Sequence, residues 1–130
     1  MQSEEGALLA VVDDDADVRV ALTRLVTSAG FTVETFGCGA DFLKSVDDHE
    51  PACVVLDLHM PEISGFDIQA ALAREHAQVP VVVITGHDTA ENRTRALRLG
   101  ASSYLCKPVD GDALLAAIDA AIAPPHRGDS

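Results

Sequence analysis

Polar residues that can take part in metal or phosphoryl chemistry stand at the ends of four apolar runs. They are Asp13, Asp14, Asp57, Thr85 and Lys107. Carboxylates that lie together repel one another unless a cation or a lysine offsets their charge. Such a set with room for water suits Mg²⁺ better than Zn²⁺. A lysine and a hydroxyl beside a cation stabilise a transferring phosphoryl group, and a carboxylate not needed for the metal can be the nucleophile. The pattern therefore predicts phosphoryl transfer.

Each of these residues also has an ordinary structural explanation. Asp13 and Asp14 could form a turn, and Asp15 is expected to cap the helix that follows. Thr85 could be a plain strand-end threonine, and Lys107 a solvated surface lysine. These explanations would have to hold independently at separate strand ends. A single shared site accounts for all of these residues at once.

The elements that must position these residues are five short apolar runs alternating with five helical segments. The runs span residues 8–12, 31–36, 53–56, 81–85 and 103–106. Helices are predicted at about 16–29, 40–46, from 65, 90–99 and 110–123. Three runs are continuous Val/Leu/Ile stretches, typical of strands buried on both faces, whereas FTVETF alternates and is expected at an edge. This order predicts a doubly wound α/β fold, a parallel sheet with helices on both faces that binds ligands at the carboxyl ends of its strands.

Length and charge limit the alternatives. A chain of 130 residues fits one domain, predicted at 7–123, with a flexible segment at 1–6 and a tail or the start of a linker at 124–130. The net charge of −12 argues against direct binding to nucleic acid or to an anionic membrane. No apolar run approaches a membrane span, and three cysteines form no paired framework. A reduced cytoplasmic protein is expected.

Four segments of this sequence resemble the receiver domain of response regulators from bacterial two-component signalling. They read VVDDDADVR, VVLDLHMPEISG, VVVITGH and YLCKP, within a match that covers about residues 7–123. The resemblance implies the chemotaxis-regulator-like fold, with a five-stranded parallel sheet in the order 2-1-3-4-5. It implies a phosphoacceptor that takes its phosphoryl group from a histidine kinase or a histidine phosphotransfer protein. Such a domain is not an enzyme in the ordinary sense, because it catalyses only its own phosphorylation and dephosphorylation.

The resemblance assigns the phosphoacceptor and the metal ligands. Asp57 would accept the phosphoryl group. Asp13, Asp14 and Asp57, together with the backbone carbonyl of His59, would hold Mg²⁺ or Mn²⁺.

It also assigns the phosphate ligands and the switch residues. Thr85 would donate its hydroxyl to the phosphoryl oxygens, and Lys107 would pair with the phosphate. The peptide bond between Lys107 and Pro108 would be cis, which X-Pro bonds permit at low cost. Tyr104 would be the aromatic switch residue, whose ring turns inward as Thr85 moves toward the phosphate.

Two histidines border the predicted site. His59 follows Asp57 by two residues, and His87 follows Thr85 by two. Both are predicted to tune the lifetime of the phosphoryl group by flanking the path of the hydrolytic water. The alternative is that they are loop histidines that face the solvent.

The output is predicted to pass through a face formed by helix 4, strand 5 and helix 5. Three basic residues on helix 4 stand against three acidic residues on helix 5, namely Arg93, Arg95, Arg98, Asp110, Asp112 and Asp119. These charges would support a phosphorylation-dependent homodimer, although charged helices are usually just solvated.

Three competing interpretations fit the sequence less well than a receiver domain does. An aspartyl-phosphate hydrolase would carry DxDxT after its first strand, where this sequence has VVDDDADV. A flavodoxin-like cofactor binder would need a phosphate-binding loop there. A degenerate receiver that only docks to partners is disfavoured by the five pocket residues. The chain could be a stand-alone receiver or the N-terminal part of a longer regulator.

Overall fold

The computed structural model describes residues 6–123, in which five strands alternate with five helices. Strands β1 to β5 span Leu8–Val12, Thr32–Phe36, Cys53–Asp57, Val81–Thr85 and Ser103–Cys106. Helices α1 to α5 span Ala16–Ser28, Gly39–Asp48, Gly65–Glu75, Ala90–Arg98 and Gly111–Ile122. Residues 1–5 of the predicted flexible N-terminus and the predicted tail or linker at 124–130 lie outside the described residues.

The strands form one parallel sheet in the order β2-β1-β3-β4-β5. The predicted fold class and strand order are therefore confirmed. All residues of β3 and β4 are buried, which explains their continuous apolar sequence. Strand β2 lies at an edge and is only partly buried, as its alternating sequence predicts.

Two apolar cores lie on opposite faces of the sheet. Alternate residues of β1 serve the two faces, because successive side chains of a strand point in opposite directions. On one face α2, α3 and α4 pack against the sheet, and their buried residues include Phe42, Val46, Phe66, Leu72 and Ala96. On the other face α1 and α5 pack through Leu22, Val26, Leu114 and Ile118. Each fully buried Leu or Ile contributes roughly 1.5–3 kcal/mol, so these stripes hold the helices on the sheet.

Most helix starts follow from local side-chain chemistry. Asp15 caps α1 by accepting a hydrogen bond from the Asp17 amide at 2.9 Å, as predicted. Ser64 and Asp67 form a reciprocal capping box at the start of α3. Helix α2 is longer than the predicted 40–46, and its N-cap residue Cys38 makes no side-chain hydrogen bond. A helix without a capping side chain has no clear start signal in its sequence.

Within residues 6–123, none of the helices has both the length and the apolar character that crossing a bilayer requires.

Candidate functional site

The parallel sheet brings the predicted site residues to one rim. Strands β1, β3 and β4 are neighbours, and at their carboxyl ends stand Asp13, Asp57 and Thr85. These three side chains are buried, with 0%, 3% and 0% exposure respectively. Lys107 follows the adjacent strand β5 and reaches back over the rim. Buried carboxylates of this kind need charged or metal partners.

Lys107 is the cationic partner of both buried carboxylates. Its Nζ lies 2.8 Å from Asp13 Oδ2 and 3.6 Å from Asp57 Oδ1. Partial burial of the ammonium group lowers the pKa of Lys107, but the adjacent carboxylates of Asp13 and Asp57 outweigh that effect and raise it overall. The lysine is therefore charged at neutral pH and can exchange a carboxylate for another anion.

Asp57 is an unfavourable place for a negative charge in the absence of a cation. Burial raises its pKa to about 6, and the neighbouring Asp13 adds to the increase. Lys107 and the His59 amide, which donates to Asp57 Oδ1 at 3.4 Å, offset only part of this. A divalent cation would favour the ionised form that a nucleophile requires.

The acidic cluster fits a hard divalent cation. Asp13, Asp14 and Asp57 each offer one carboxylate oxygen, and these oxygens lie within 4.8 Å of one another. Asp13 Oδ1 accepts a hydrogen bond from the Asp15 amide at 2.9 Å. Asp13 Oδ2 is buried 2.8 Å from Lys107 Nζ, and no donor within residues 6–123 forms a well-aligned hydrogen bond with it. A set of oxygen ligands that includes a buried carboxylate oxygen without a well-aligned hydrogen-bond donor among the residues described suits Mg²⁺ or Mn²⁺.

Two residues that were not predicted for the site position its loops. The Arg19 guanidinium on α1 donates to the Asp13 carbonyl oxygen at 2.8 Å. The Gly65 amide donates to the Leu58 carbonyl oxygen at 2.9 Å and closes the loop after β3. A Cβ at Gly65 would clash with the Asp57 carbonyl oxygen and lie 2.7 Å from Leu58 Cα. Gly65 ends the VVLDLHMPEISG segment, and a glycine at that position could have indicated that the start of α3 lies against the backbone of Asp57 and Leu58.

The two predicted histidines lie together beside Thr85. The rings of His59 and His87 have centroids 4.6 Å apart. His59 Nδ1 lies 3.4 Å from Thr85 Oγ1, and the His87 amide donates to the same oxygen at 3.0 Å. Both residues are exposed at the mouth of the site. Partial burial of the ring, followed by the charges of His87 and Lys107, lowers the pKa of His59.

Tyr104 lies in the core on the α4 side of the sheet. It is 8% exposed, and the Arg93 guanidinium lies 4.7 Å from its ring centroid. Its hydroxyl is buried, and no residue in the described part of the chain forms a well-aligned hydrogen bond with it. Burial and the nearby Asp88 carboxylate raise the pKa of Tyr104. The Lys107–Pro108 peptide bond is cis, as the resemblance implies.

Comparisons with known proteins identify the family to which this chain is similar. The family described as response regulator receiver domain matches residues 9–119. Response regulator protein TodT of Pseudomonas putida is 36% identical over 130 residues, which cover 98% of this chain and 57% of TodT. Nodulation protein W of Bradyrhizobium diazoefficiens is 39% identical over 115 residues, which cover 88% of this chain and 51% of that protein. The chain thus spans about half the length of the curated relatives it matches.

Solved structures show the same fold. A CheY-like response regulator receiver domain protein from Methanospirillum hungatei superposes with a TM-score of 0.85 at 21% identity, over 90% of this chain and 94% of that one. The FixJ-N structure gives a TM-score of 0.84 at 30% identity, over 94% of this chain and 95% of that one. The first likeness concerns the fold alone.

Proposed function

This chain belongs to the response regulator receiver domain family, and we propose that it acts as a phosphoacceptor through Asp57. The observation that carries the proposal is the position of Asp57 at the end of β3. It is 3% exposed, 3.6 Å from the Lys107 ammonium group and within 4.8 Å of the oxygens of two other aspartates. A carboxylate nucleophile, a charged lysine and a cation-binding cluster are what phosphoryl transfer requires.

The chain acts in the cytoplasm, and its phosphodonor is a histidine kinase or a histidine phosphotransfer protein. A carboxylate oxygen of Asp57 attacks the phosphorus, the bond from phosphorus to the donor imidazole nitrogen breaks, and that nitrogen keeps the electron pair. The Thr85 hydroxyl donates to the phosphoryl oxygens. Its oxygen accepts from the His87 amide, and its proton can turn to the phosphoryl oxygens from His59 Nδ1, which lies 3.4 Å away. Lys107 transfers its ion pair from the Asp57 carboxylate to the phosphoryl group.

The residues that would hold the divalent cation are Asp13, Asp14, Asp57 and, through its backbone carbonyl, His59. Bound Mg²⁺ or Mn²⁺ would supply neutralisation of the charge on the transferring phosphoryl group. Arg19 and the Asp15 amide fix the backbone and one oxygen of Asp13. They keep the remaining Asp13 oxygen directed at the site.

Hydrolysis of the acyl phosphate ends the signal. Water attacks the phosphorus, the bond to the Asp57 oxygen breaks, and the carboxylate leaves with the electron pair. His59 and His87 tune the lifetime, because their rings lie 4.6 Å apart at the mouth of the site, where water must enter. The chain thus catalyses only its own phosphorylation and dephosphorylation.

The signal leaves through the face formed by α4, β5 and α5. Phosphorylation draws Thr85 toward the new anion, and Tyr104 on β5 responds to that movement. The arginines of α4 and the aspartates of α5 are the charges that would join two phosphorylated copies. With a net charge of −12, this chain makes no direct contact with nucleic acid or with a membrane.

The test is uptake of phosphate from a small donor. The chain is incubated with acetyl phosphate and Mg²⁺, and its intact mass is recorded. We expect one phosphoryl group on the wild type, none on Asp57→Asn, and none when EDTA replaces Mg²⁺. The control Asp48→Asn, at an exposed aspartate of α2, should be modified like the wild type. An unmodified wild type would favour a receiver that only docks to partners.

A further inference from the structure

Helix α4 is weakly anchored to the rest of the molecule. It buries one residue, Ala96, whereas α1 and α5 each bury two large apolar side chains. Two arginines add contacts at its surface, with Arg95 lying 4.1 Å from the Phe66 ring centroid and Arg93 above Tyr104. An element with so little buried surface needs other contacts to fix its position.

Gln69 on α3 supplies such a contact. Its side chain is 1% exposed, and its Nε2 donates to the Ala96 carbonyl oxygen at 2.9 Å. The Ala101 amide donates to the same oxygen at 3.1 Å. The Gln69 hydrogen bond joins two helices 27 residues apart in sequence at the one point where α4 is buried.

The buried amide of Gln69 is not explained by packing. Its Oε1 is buried, and no donor among residues 6–123 reaches it. A leucine of similar volume would avoid the unpaired oxygen. Gln69 also lines a cavity of about 140 Å³ that is bordered by Leu72, Val81 and Leu99. Leu99, the C-cap residue of α4, therefore borders free space near the hydrogen bond that fixes the helix.

We infer that Gln69 is a positioning residue: its hydrogen bond to Ala96 holds α4 in the position described here and opposes the rearrangement that phosphorylation of Asp57 causes. This inference rests on the proposed function. If the contact is made only in the position of α4 described here, it disfavours the phosphorylated state by the same factor, because the coupling between the two sites is reciprocal.

The first test uses the unphosphorylated chain. In Gln69→Leu the Ala96 oxygen keeps its bond from Ala101, and the unpaired oxygen is removed. We expect the urea midpoint of unfolding to stay the same or rise. Amide exchange in residues 90–99 should become roughly fivefold faster, the scale of one lost hydrogen bond, with no change in α1 or α5. The matched control is Gln78→Leu, the same change at an exposed site between α3 and β4.

Unchanged exchange in α4 would overturn the inference. So would an equal acceleration in all helices, because that is the signature of a general loss of stability and not of a specific tether.

The second test measures the coupling to Asp57. Gln69→Leu should take up phosphate from acetyl phosphate with Mg²⁺ severalfold faster than the wild type, while Gln78→Leu should not. An unchanged rate in a variant whose α4 exchanges faster would contradict the inference. A wild type that takes up no phosphate would instead overturn the proposed function, and the exchange rates still decide on the tether.

Discussion

Asp57 meets two opposing demands, because it must be ionised to act as a nucleophile while its surroundings favour the neutral form. Burial and the adjacent Asp13 raise its pKa to about 6, and Lys107 offsets only part of the increase. A cation in the acidic cluster would remove this conflict. The metal-free protein should therefore carry a pH-dependent penalty at this residue.

The first prediction concerns Asp57→Asn in EDTA. The folded-state pKa of about 6 exceeds the ordinary value of 3.8, so the folded protein binds the extra proton between these pH values. The stability from that proton is present below about pH 4 and is lost as the pH rises through about 6. The asparagine is neutral throughout. We expect the variant to be more stable than the wild type at neutral pH by about 2 kcal/mol, which is the roughly 3 kcal/mol of the full shift reduced by solvent screening, and the difference to vanish below about pH 4.

Urea unfolding at several pH values measures this difference. The exposed Asp48→Asn change is the control and should have no such effect. Equal stability of Asp57→Asn and wild type at neutral pH would show that ionised Asp57 is not destabilising. Added Mg²⁺ should narrow the gap by binding to the wild type.

The second prediction concerns the histidines at the mouth of the site. His59 and His87 place their rings 4.6 Å apart beside Thr85. Alanine at either position opens the path for water, so we expect autodephosphorylation to be severalfold faster than in the wild type. Loss of the phosphorylated intact mass over time gives the rate. The control is His49→Ala, at the C-cap of α2. Unchanged rates in both variants would support solvent-facing histidines without this role.

At the scale of elements, sequence patterns predicted strands better than helix ends. The hydrophobic pattern of a strand follows which of its faces are buried. The apolar runs of β3 and β4 therefore predict burial on both faces, and the alternation of β2 predicts partial burial. The thin apolar face of α4 was visible in its sequence and corresponds to one buried residue. The ends of α2 were predicted too short, because neither Cys38 nor Asp48 gives a clear boundary signal.

The third prediction concerns the packing of α3 against the loop after β3. Gly65→Ala places a methyl group against the Asp57 carbonyl oxygen and Leu58 Cα, so the loop or the helix must move. We expect a loss of about 1–3 kcal/mol of stability, typical of overpacking, and slower phosphorylation because Asp57 shifts with the loop. Urea unfolding and acetyl phosphate uptake measure the two effects. In Gly86→Ala the nearest atom, Lys107 Cδ, is 4.0 Å away, and stability should not fall as far. Equal losses in both variants would contradict this packing argument.

The fourth prediction concerns a histidine that joins the C-terminal ends of α2 and α3. His76 Nε2 lies 2.8 Å from Asp47 Oδ1, and its Nδ1 lies 2.6 Å from Glu50 Oε2. The hydrogen bonds to Asp47 and Glu50 raise the pKa of His76 above 6.5. The stabilisation is thus complete below the unfolded value of 6.5 and is lost as the pH rises through the folded value. The urea midpoint of the wild type should therefore fall as the pH rises above 6.5, and this fall should be absent in His76→Gln. An identical slope in both proteins would rule out this contribution.

At the scale of the whole molecule, the rim of the site follows from topology. Once a parallel sheet is predicted, Asp13, Asp57, Thr85 and Lys107 must approach one another, because strand ends share an edge. No comparable topological rule predicts which side chains form contacts between two helices. The Gln69–Ala96 hydrogen bond joins positions 27 residues apart, and its existence depends on how α3 and α4 pack. Such contacts can be identified only from the three-dimensional structure.

Transmission of the phosphorylation signal is also a property of the whole molecule. The chain covers 57% of TodT and 51% of nodulation protein W, so those proteins extend beyond the region that matches this chain. Relatives such as FixJ of Bradyrhizobium diazoefficiens are named transcriptional regulatory proteins. We therefore propose that the α4–β5–α5 face transmits phosphorylation to whatever follows or binds this domain.

The most direct test of the central claim is to locate the phosphoryl group after phosphorylation with acetyl phosphate and Mg²⁺. Borohydride reduces an acyl phosphate to an alcohol and releases the phosphate, which converts a modified aspartate to homoserine. Peptide mass spectrometry then identifies the converted position. The account predicts homoserine at position 57, with Asp13 and Asp14 intact. Homoserine at another aspartate, or none in a chain that has gained phosphate, would contradict it.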